Sequence, residues 1–223
     1  MSVAEHTHDG AAEHSRFQQH HFTTAQQQQD ASKIGMWLFL VTEVLLFGGL
    51  FVGYGMTQSR FPEAFKSAHH HLQRELGFLN TVVLLISSFT MVMAVQAAKL
   101  NRQKQLIINL WITIACACAF LVVKYFEYSH KYHDGLLPFK AFYSYTGKQV
   151  PGEFHFFTFY FMMTGLHGIH IVAGIAALGW VLKRAYQGDF TSSYYTPVDL
   201  AGLYWHLVDL IWIYLFPLLY LIS

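Results

Sequence analysis

Charged side chains are scarce in this chain: Lys, Arg, Asp and Glu make up only 12% of its 223 residues, whereas 54% are hydrophobic. A soluble domain carries about a quarter charged residues, so the composition argues against an ordinary soluble protein. A net charge of +1 also lacks the basic excess of nucleic-acid-binding proteins, and no nucleic-acid partner is expected. The chain has instead several long apolar runs, each near the ~20 residues that a helix needs to cross a bilayer.

Cysteine is nearly absent as well. Cys116 and Cys118 are the only two cysteines, and both lie inside one apolar run. Two residues apart on a helix, they point to nearly opposite sides, so they can neither pair with each other nor hold a metal together. The first 33 residues also lack the short apolar core of a signal peptide, and we expect the first apolar run to act as its own insertion signal.

The apolar runs predict an all-α integral membrane protein, a bundle of five transmembrane helices. The polar, His- and Gln-rich residues 1–33 are predicted to form a flexible N-terminal tail, and the His-rich loop stretch 69–71 is interpreted as solvated surface. The transmembrane domain is predicted over residues 34–223, with spans at 34–56, 77–98, 106–128, 154–181 and 198–222.

The orientation is predicted from the short connector after the second span. This connector contains Lys99, Arg102 and Lys104 within seven residues, 99–105. Basic residues in short loops favour the cytoplasmic side of a membrane. We therefore predict a cytoplasmic N-terminus and, after five spans, a C-terminus on the outside.

Several ionisable side chains lie inside the predicted spans, where each costs roughly 2.5 kcal/mol or more. Most of them lie near mid-depth, whichever way their helix runs. We predict that they form an interior polar cluster. A purely structural role in fixing helix packing, and a direct role in moving protons or binding a ligand, both stay open for it. The members of this cluster are Glu43, His167, His170, His206 and Asp209.

Two smaller features accompany this cluster. Lys124 and Glu127, three residues apart near the end of the third span, predict an ion pair at the level of the membrane interface. Glycines in the first and fourth spans should let neighbouring helices approach closely. These predicted helix-packing residues are Gly49, Gly53, Gly165 and Gly168.

Five stretches, in order and at matching positions in the spans, resemble subunit III of the haem–copper (cytochrome c) oxidases in its five-helix bacterial form. The resemblance runs from Lys33 to the C-terminus. It is carried by Lys33-Ile-Gly-Met-Trp-Leu-Phe with Glu43-Val-Leu-Leu-Phe, by Leu79-Asn-Thr-Val-Val-Leu-Leu-Ile-Ser-Ser88, by Phe126-Glu-Tyr128, by Thr164-Gly-Leu-His-Gly-Ile-His170-Ile-Val-Ala-Gly174, and by Tyr204-Trp-His-Leu-Val-Asp209-Leu-Ile-Trp212.

The resemblance implies a non-catalytic subunit of a proton-pumping terminal oxidase in a bacterial inner membrane. Such a subunit has no catalytic residue, metal or redox centre of its own. It packs on subunit I beside subunit II, and these partners hold the haem and copper. It also holds structural phospholipids and supports proton uptake and stability of the core, and a respiratory supercomplex is a further possible partner. The family residues carried over are Glu43, Glu127, His167, His170, His206 and Asp209.

Alternatives stay open at this point. Subunit III of a quinol oxidase is one of them, although Glu43, where that branch has Asp, favours an aa3- or caa3-type cytochrome c oxidase. Three histidines inside membrane spans also leave open a haem-binding membrane anchor. The buried ionisable groups leave open a proton carrier.

Overall fold

The computed structural model describes residues 22, 24–136, 138, 144, 150–192 and 194–221. Five of the helices within these residues, all but the short α2, are long and apolar enough to cross a membrane. This finding confirms the predicted fold class. The helices are α1 (Ala25–Arg60), α2 (Pro62–His69), α3 (Arg74–Lys99), α4 (Gln103–His133), α5 (Glu153–Tyr186) and α6 (Thr196–Phe216), and α6 continues into a π-helical turn at Pro217–Leu221.

The observed helices extend beyond the predicted spans, most of all at the start of α1. Residues 25–33 of the predicted tail belong to this helix, whereas residues 1–21 and 23 lie outside the described part of the chain. The hydroxyl of Thr24 accepts the backbone N–H of Gln27 at 3.1 Å, which satisfies one of the free donors at the helix start. Ala and Gln are also favourable helix formers, so the polar segment continues the apolar helix.

By its internal contacts the chain divides into a small unit, Met1–Thr42, and a large unit, Glu43–Ser223. Helix α1 begins in the first and ends in the second. In the large unit α3 packs on α4 and α6, and α5 packs on α2, α4 and α6. All contacts described below belong to the large unit.

Glycines mark the closest helix contacts, but mostly not the glycines that the sequence singled out. A Cβ atom built on Gly53 would lie 3.2 Å from the Phe159 ring, whereas one on Gly49 or Gly168 would meet no described atom within 4 Å. The tightest approaches between two helices, measured from such a Cβ, are Gly174 to Trp205 at 2.7 Å, Gly77 to Phe216 at 2.9 Å and Gly202 to Val95 at 3.0 Å.

The short helix α2 lies in what was predicted to be a loop, and its inner face is buried. His69 at its end is only 2% exposed, and its ring packs on Phe156 with 5.1 Å between ring centres. The interpretation of this residue as solvated surface is therefore wrong. Burial lowers the pKa of His69; a hydrogen bond with the backbone of Leu219 opposes this shift, and the electrostatic effects of Arg74 and His70 add to it.

The Gly174 contact provides a test of the packing. Gly174→Ala should lower the free energy of unfolding by about 1–3 kcal/mol, because the Trp205 ring must move to admit the new methyl group. Gly179→Ala is the matched control, since the same helix leaves open space there. Titration with a denaturing detergent in mixed micelles measures both variants, and equal stabilities would contradict the observed packing.

Candidate functional site

Glu43 of α1 and His170 of α5 form a hydrogen-bonded pair halfway along their helices. Glu43 Oε2 lies 2.9 Å from His170 Nε2, and both side chains are largely buried. The other ring nitrogen, Nδ1, lies 2.8 Å from the carbonyl oxygen of Leu166. That oxygen only accepts, so Nδ1 carries a proton. The hydrogen bond to Glu43 then runs through a proton that lies between Oε2 and Nε2.

Neighbouring side chains hold this pair in place. The edge of the Phe47 ring faces the His170 ring, with 5.4 Å between ring centres. Tyr204 of α6 donates its hydroxyl proton to the carbonyl oxygen of His170 at 3.0 Å. The Glu43–His170 pair therefore joins α1 to α5, and the hydrogen bond from Tyr204 connects α6 to α5.

His167, one turn before His170 on α5, is fully buried. Its ring packs against Phe120 and Trp212, with ring centres 5.5 and 5.2 Å away. Neither of its ring nitrogens has a hydrogen-bond partner among the described residues. His167 thus occupies an aromatic environment, separate from the polar atoms of the pair.

His206 and Asp209, the two predicted cluster residues on α6, face α3 instead. His206 Nδ1 lies 2.9 Å from the hydroxyl of Ser88, and the neighbouring Trp205 donates its ring N–H to the hydroxyl of Ser87 at 3.1 Å. Asp209 is only 2% exposed. The Ser87 and Ser88 hydroxyls lie beside its carboxyl group, but outside normal hydrogen-bond geometry.

The five residues predicted to form one cluster thus lie in separate groups. Glu43 and His170 are bonded to each other, whereas His206 and Asp209 lie against α3. Within the described ranges, no hydrogen bond or ion pair joins these groups. The i, i+3 spacing placed His206 and Asp209 on one face of their helix, but it does not identify the neighbouring helix.

A second polar network surrounds Glu127 near the end of α4. Lys124 Nζ lies 2.8 Å from Glu127 Oε2, and Lys131 Nζ lies 3.4 Å from Oε1. Tyr220 in the π-helical turn donates to Oε1 at 2.6 Å and accepts from Lys124 Nζ at 2.8 Å. All four residues are buried. The predicted ion pair is therefore formed inside the protein and linked to the end of the last span.

Aromatic rings surround the Lys124 ammonium group. It lies 4.6 Å from the ring centre of Trp212, 5.3 Å from that of Tyr220 and 5.5 Å from that of Tyr160. The negative face of an aromatic ring attracts a cation, by about 2 kcal/mol or more where water is excluded. These rings replace part of the hydration that the buried lysine has lost.

Sequence reasoning missed two members of this network. Lys131 lies four residues after Glu127, and this i, i+4 spacing on a helix is a signal that could have identified it. Tyr220 lies 93 residues from Glu127, and no spacing rule connects positions that far apart.

Among the residues that the structure describes, no three His, Cys, Asp or Glu side chains come close enough to hold a metal ion together. Cys116 is half-buried and Cys118 is exposed, consistent with the expectation that they point in different directions.

Sequence comparison links these features to known proteins. A family model described as cytochrome c oxidase subunit III matches residues 2–223, which extends the resemblance into the polar tail. Cytochrome c oxidase subunit 3 of Alkalihalophilus pseudofirmus is 30% identical, over 85% of this chain and 86% of that protein. The corresponding Dugong dugon protein is 31% identical, over 92% and 73%. A probable quinol oxidase subunit 3 of Staphylococcus saprophyticus is 27% identical, over 86% and 89%.

The Glu127 network provides a second test. Lys124→Met should lower the free energy of unfolding by about 3–5 kcal/mol, because it removes the nearer of the two lysines that balance the charge of the buried Glu127 carboxylate. The double variant Lys124→Met/Glu127→Gln should lose less than the sum of the two single losses, since both charges of the pair are then absent. Unfolding titrations of the three variants measure this coupling, and additive losses would count against it.

Proposed function

Because this chain belongs to the cytochrome c oxidase subunit III family of the haem–copper oxidases, we propose that it serves in an aa3- or caa3-type cytochrome c oxidase. It is a multi-pass membrane protein and a subunit of a terminal oxidase complex. The family match over residues 2–223, in a chain with five spanning helices, supports the coarser part of this proposal, a subunit III of a haem–copper oxidase.

The electron donor is the finer part of the proposal. Glu43 in the first span, where the quinol-oxidase branch has Asp, favours the cytochrome c branch. Subunit III of a quinol oxidase is the second candidate, and the Staphylococcus saprophyticus relative supports it.

The proposed role is structural and electrostatic. The chain carries no redox centre, and the haem and copper belong to its partners, subunits I and II. The Glu43–His170 pair joins α1 to α5, and the Glu127 network joins α4 to the end of the last span. A bundle fixed in this way packs on subunit I and keeps the proton-entry side of the core hydrated and intact during turnover.

The setting of this subunit is a bacterial inner membrane, where it holds structural phospholipids. Lys99 is the last residue of α3, Arg102 lies in the turn that follows, and Lys104 lies in the first turn of α4. The basic residues of this short connector favour the cytoplasmic side, and we propose that orientation. The N-terminus is then cytoplasmic, and the last span ends on the outside.

Co-purification in mild detergent tests the proposal most directly. We expect mass spectrometry to find subunits I and II with the chain, in a complex that contains haem and copper. A core without the copper-bearing subunit II would support the quinol-oxidase candidate instead. A chain that never accompanies a haem–copper core, or one that shows a haem absorption band by itself, would overturn the proposal.

The Glu43–His170 pair is tested by substitution within the complex. Glu43→Ala should loosen association or speed the loss of oxidase activity during turnover, because His170 Nε2 then loses its partner. The haem spectra should not change. Glu43→Gln is the control, since its amide can still donate a hydrogen bond to the imidazole. Altered haem spectra in the Ala variant, or activity as durable as that of the natural protein, would contradict the proposed role.

A further inference from the structure

The carboxyl group of Asp209 is buried in the middle of the bundle without a hydrogen bond. Its side chain is only 2% exposed, and neither carboxyl oxygen has a hydrogen-bond partner among the described residues. Asp209 and Ser87 each lie at the middle of a 26-residue span, Thr196–Leu221 and Arg74–Lys99. Buried polar atoms without a partner are rare in proteins, and the hydrocarbon core around the bundle offers none. The carboxyl group therefore requires a partner that is held inside the protein.

The hydroxyl of Ser87 cannot be that partner, although it lies beside the carboxyl group. A hydroxyl has one proton to donate and two lone pairs that accept. The Ser87 proton is donated to the carbonyl oxygen of Leu84 at 2.7 Å, and one lone pair accepts the ring N–H of Trp205 at 3.1 Å. Ser87 keeps one free lone pair, which can only accept.

The other donors near Asp209 on α3 and α6 are also bonded. The Ser88 hydroxyl lies 2.9 Å from His206 Nδ1, and Trp212 donates its ring N–H to the hydroxyl of Thr81 at 3.1 Å. The Ser88 proton is free only in the tautomer in which His206 donates from Nδ1, and it can then serve one carboxyl oxygen. At least one of the two carboxyl oxygens therefore has no donor among the described residues.

We infer that an ordered water molecule binds between Asp209 of α6 and the hydroxyls of Ser87 and Ser88 of α3. A buried water makes about three hydrogen bonds to polar groups that have no other partner, and this site offers three such groups. The water donates one proton to the carboxyl group and the other to the free lone pair of Ser87. The same count applies to a protonated carboxyl group, because its carbonyl oxygen still needs a donor.

This water completes a row of hydrogen bonds between α6 and α3. Trp205 and His206 bond to α3 on one side of Asp209, and Trp212 bonds to α3 on the other side. The water fills the position between these direct contacts. Because the bilayer core holds no bulk water, a water at this depth is part of the protein structure and should exchange slowly with the solvent.

Hydroxyl-radical footprinting with brief X-ray pulses tests this site on the full chain in lipid nanodiscs. The pulse converts water to hydroxyl radicals, which oxidise adjacent side chains, and mass spectrometry maps the products. Trp205 is 0% exposed, so radicals from bulk water do not reach it, whereas a water bonded to Ser87 lies next to its ring. We expect more oxidation at Trp205 than at Tyr54, which is equally buried and bonds directly to the carbonyl oxygen of Leu218. No excess over Tyr54 would overturn the inference.

Rapid mixing with water enriched in the heavy oxygen isotope separates internal from bulk water. The exposed ring of Tyr132, at the end of α4, should carry the heavy isotope as soon as the solvents are mixed. Trp205 should still carry the light isotope at that time, because its oxygen comes from the water that was already bound. Heavy isotope at both residues at once would contradict a bound internal water.

Asp209→Leu is the blocking variant, because it keeps the branched shape of the side chain and removes both oxygens. Oxidation of Trp205 should then fall to the level of Tyr54. Tyr214→Leu is the matched control, since Tyr214 lies on the same helix but is 62% exposed, and it should leave the oxidation of Trp205 unchanged. Equal oxidation in the two variants would count against the site. The comparison of Trp205 with Tyr54 needs only the natural protein, so it tests the site should Asp209→Leu fail to fold.

Discussion

A charged side chain in the hydrocarbon layer has no water around it, so its counter-charge must come from the protein itself. In this chain that constraint joins helices that are distant in sequence. Glu43 and His170, separated by 127 positions, form a hydrogen bond that joins α1 to α5. Glu127 binds two lysines of its own helix and, 93 positions away, Tyr220. Because each group needs a particular partner, these contacts favour one arrangement of the helices over others of similar apolar packing.

Hydropathy located the five spanning helices but not the helical segments outside them. Helix α2 is short and its polar face is exposed, so an apolar window does not detect it. The start of α1 was predicted to be tail because Gln is polar, yet Gln and Ala favour a helix that has already been nucleated by the adjacent span. In both places the segment is helical although it is not apolar enough for hydropathy to detect it.

The candidate site was predictable in its residue types and less so in its geometry. Three positions along a helix correspond to a rotation of about 300°, so His167 and His170 point roughly 60° apart. That difference turns His167 towards Phe120 and Trp212 and His170 towards Glu43. Periodicity assigns each residue to a face, but the identity of the facing helix depends on the packing of the whole bundle. For the same reason Gly174, rather than Gly168, meets a neighbouring ring.

The proton that lies between Glu43 and His170 has an electrical consequence. A membrane potential acts on a charge in proportion to the fraction of the membrane that the charge crosses, at about 2.3 kcal/mol per 100 mV for a full crossing. The proton moves within a gap of 2.9 Å between heavy atoms, at most about a tenth of the ~30 Å hydrocarbon core. A potential of 100 mV therefore changes the energy of the proton's position by at most ~0.2 kcal/mol, which is less than thermal energy. Such a potential has little influence on which of the two groups holds the proton.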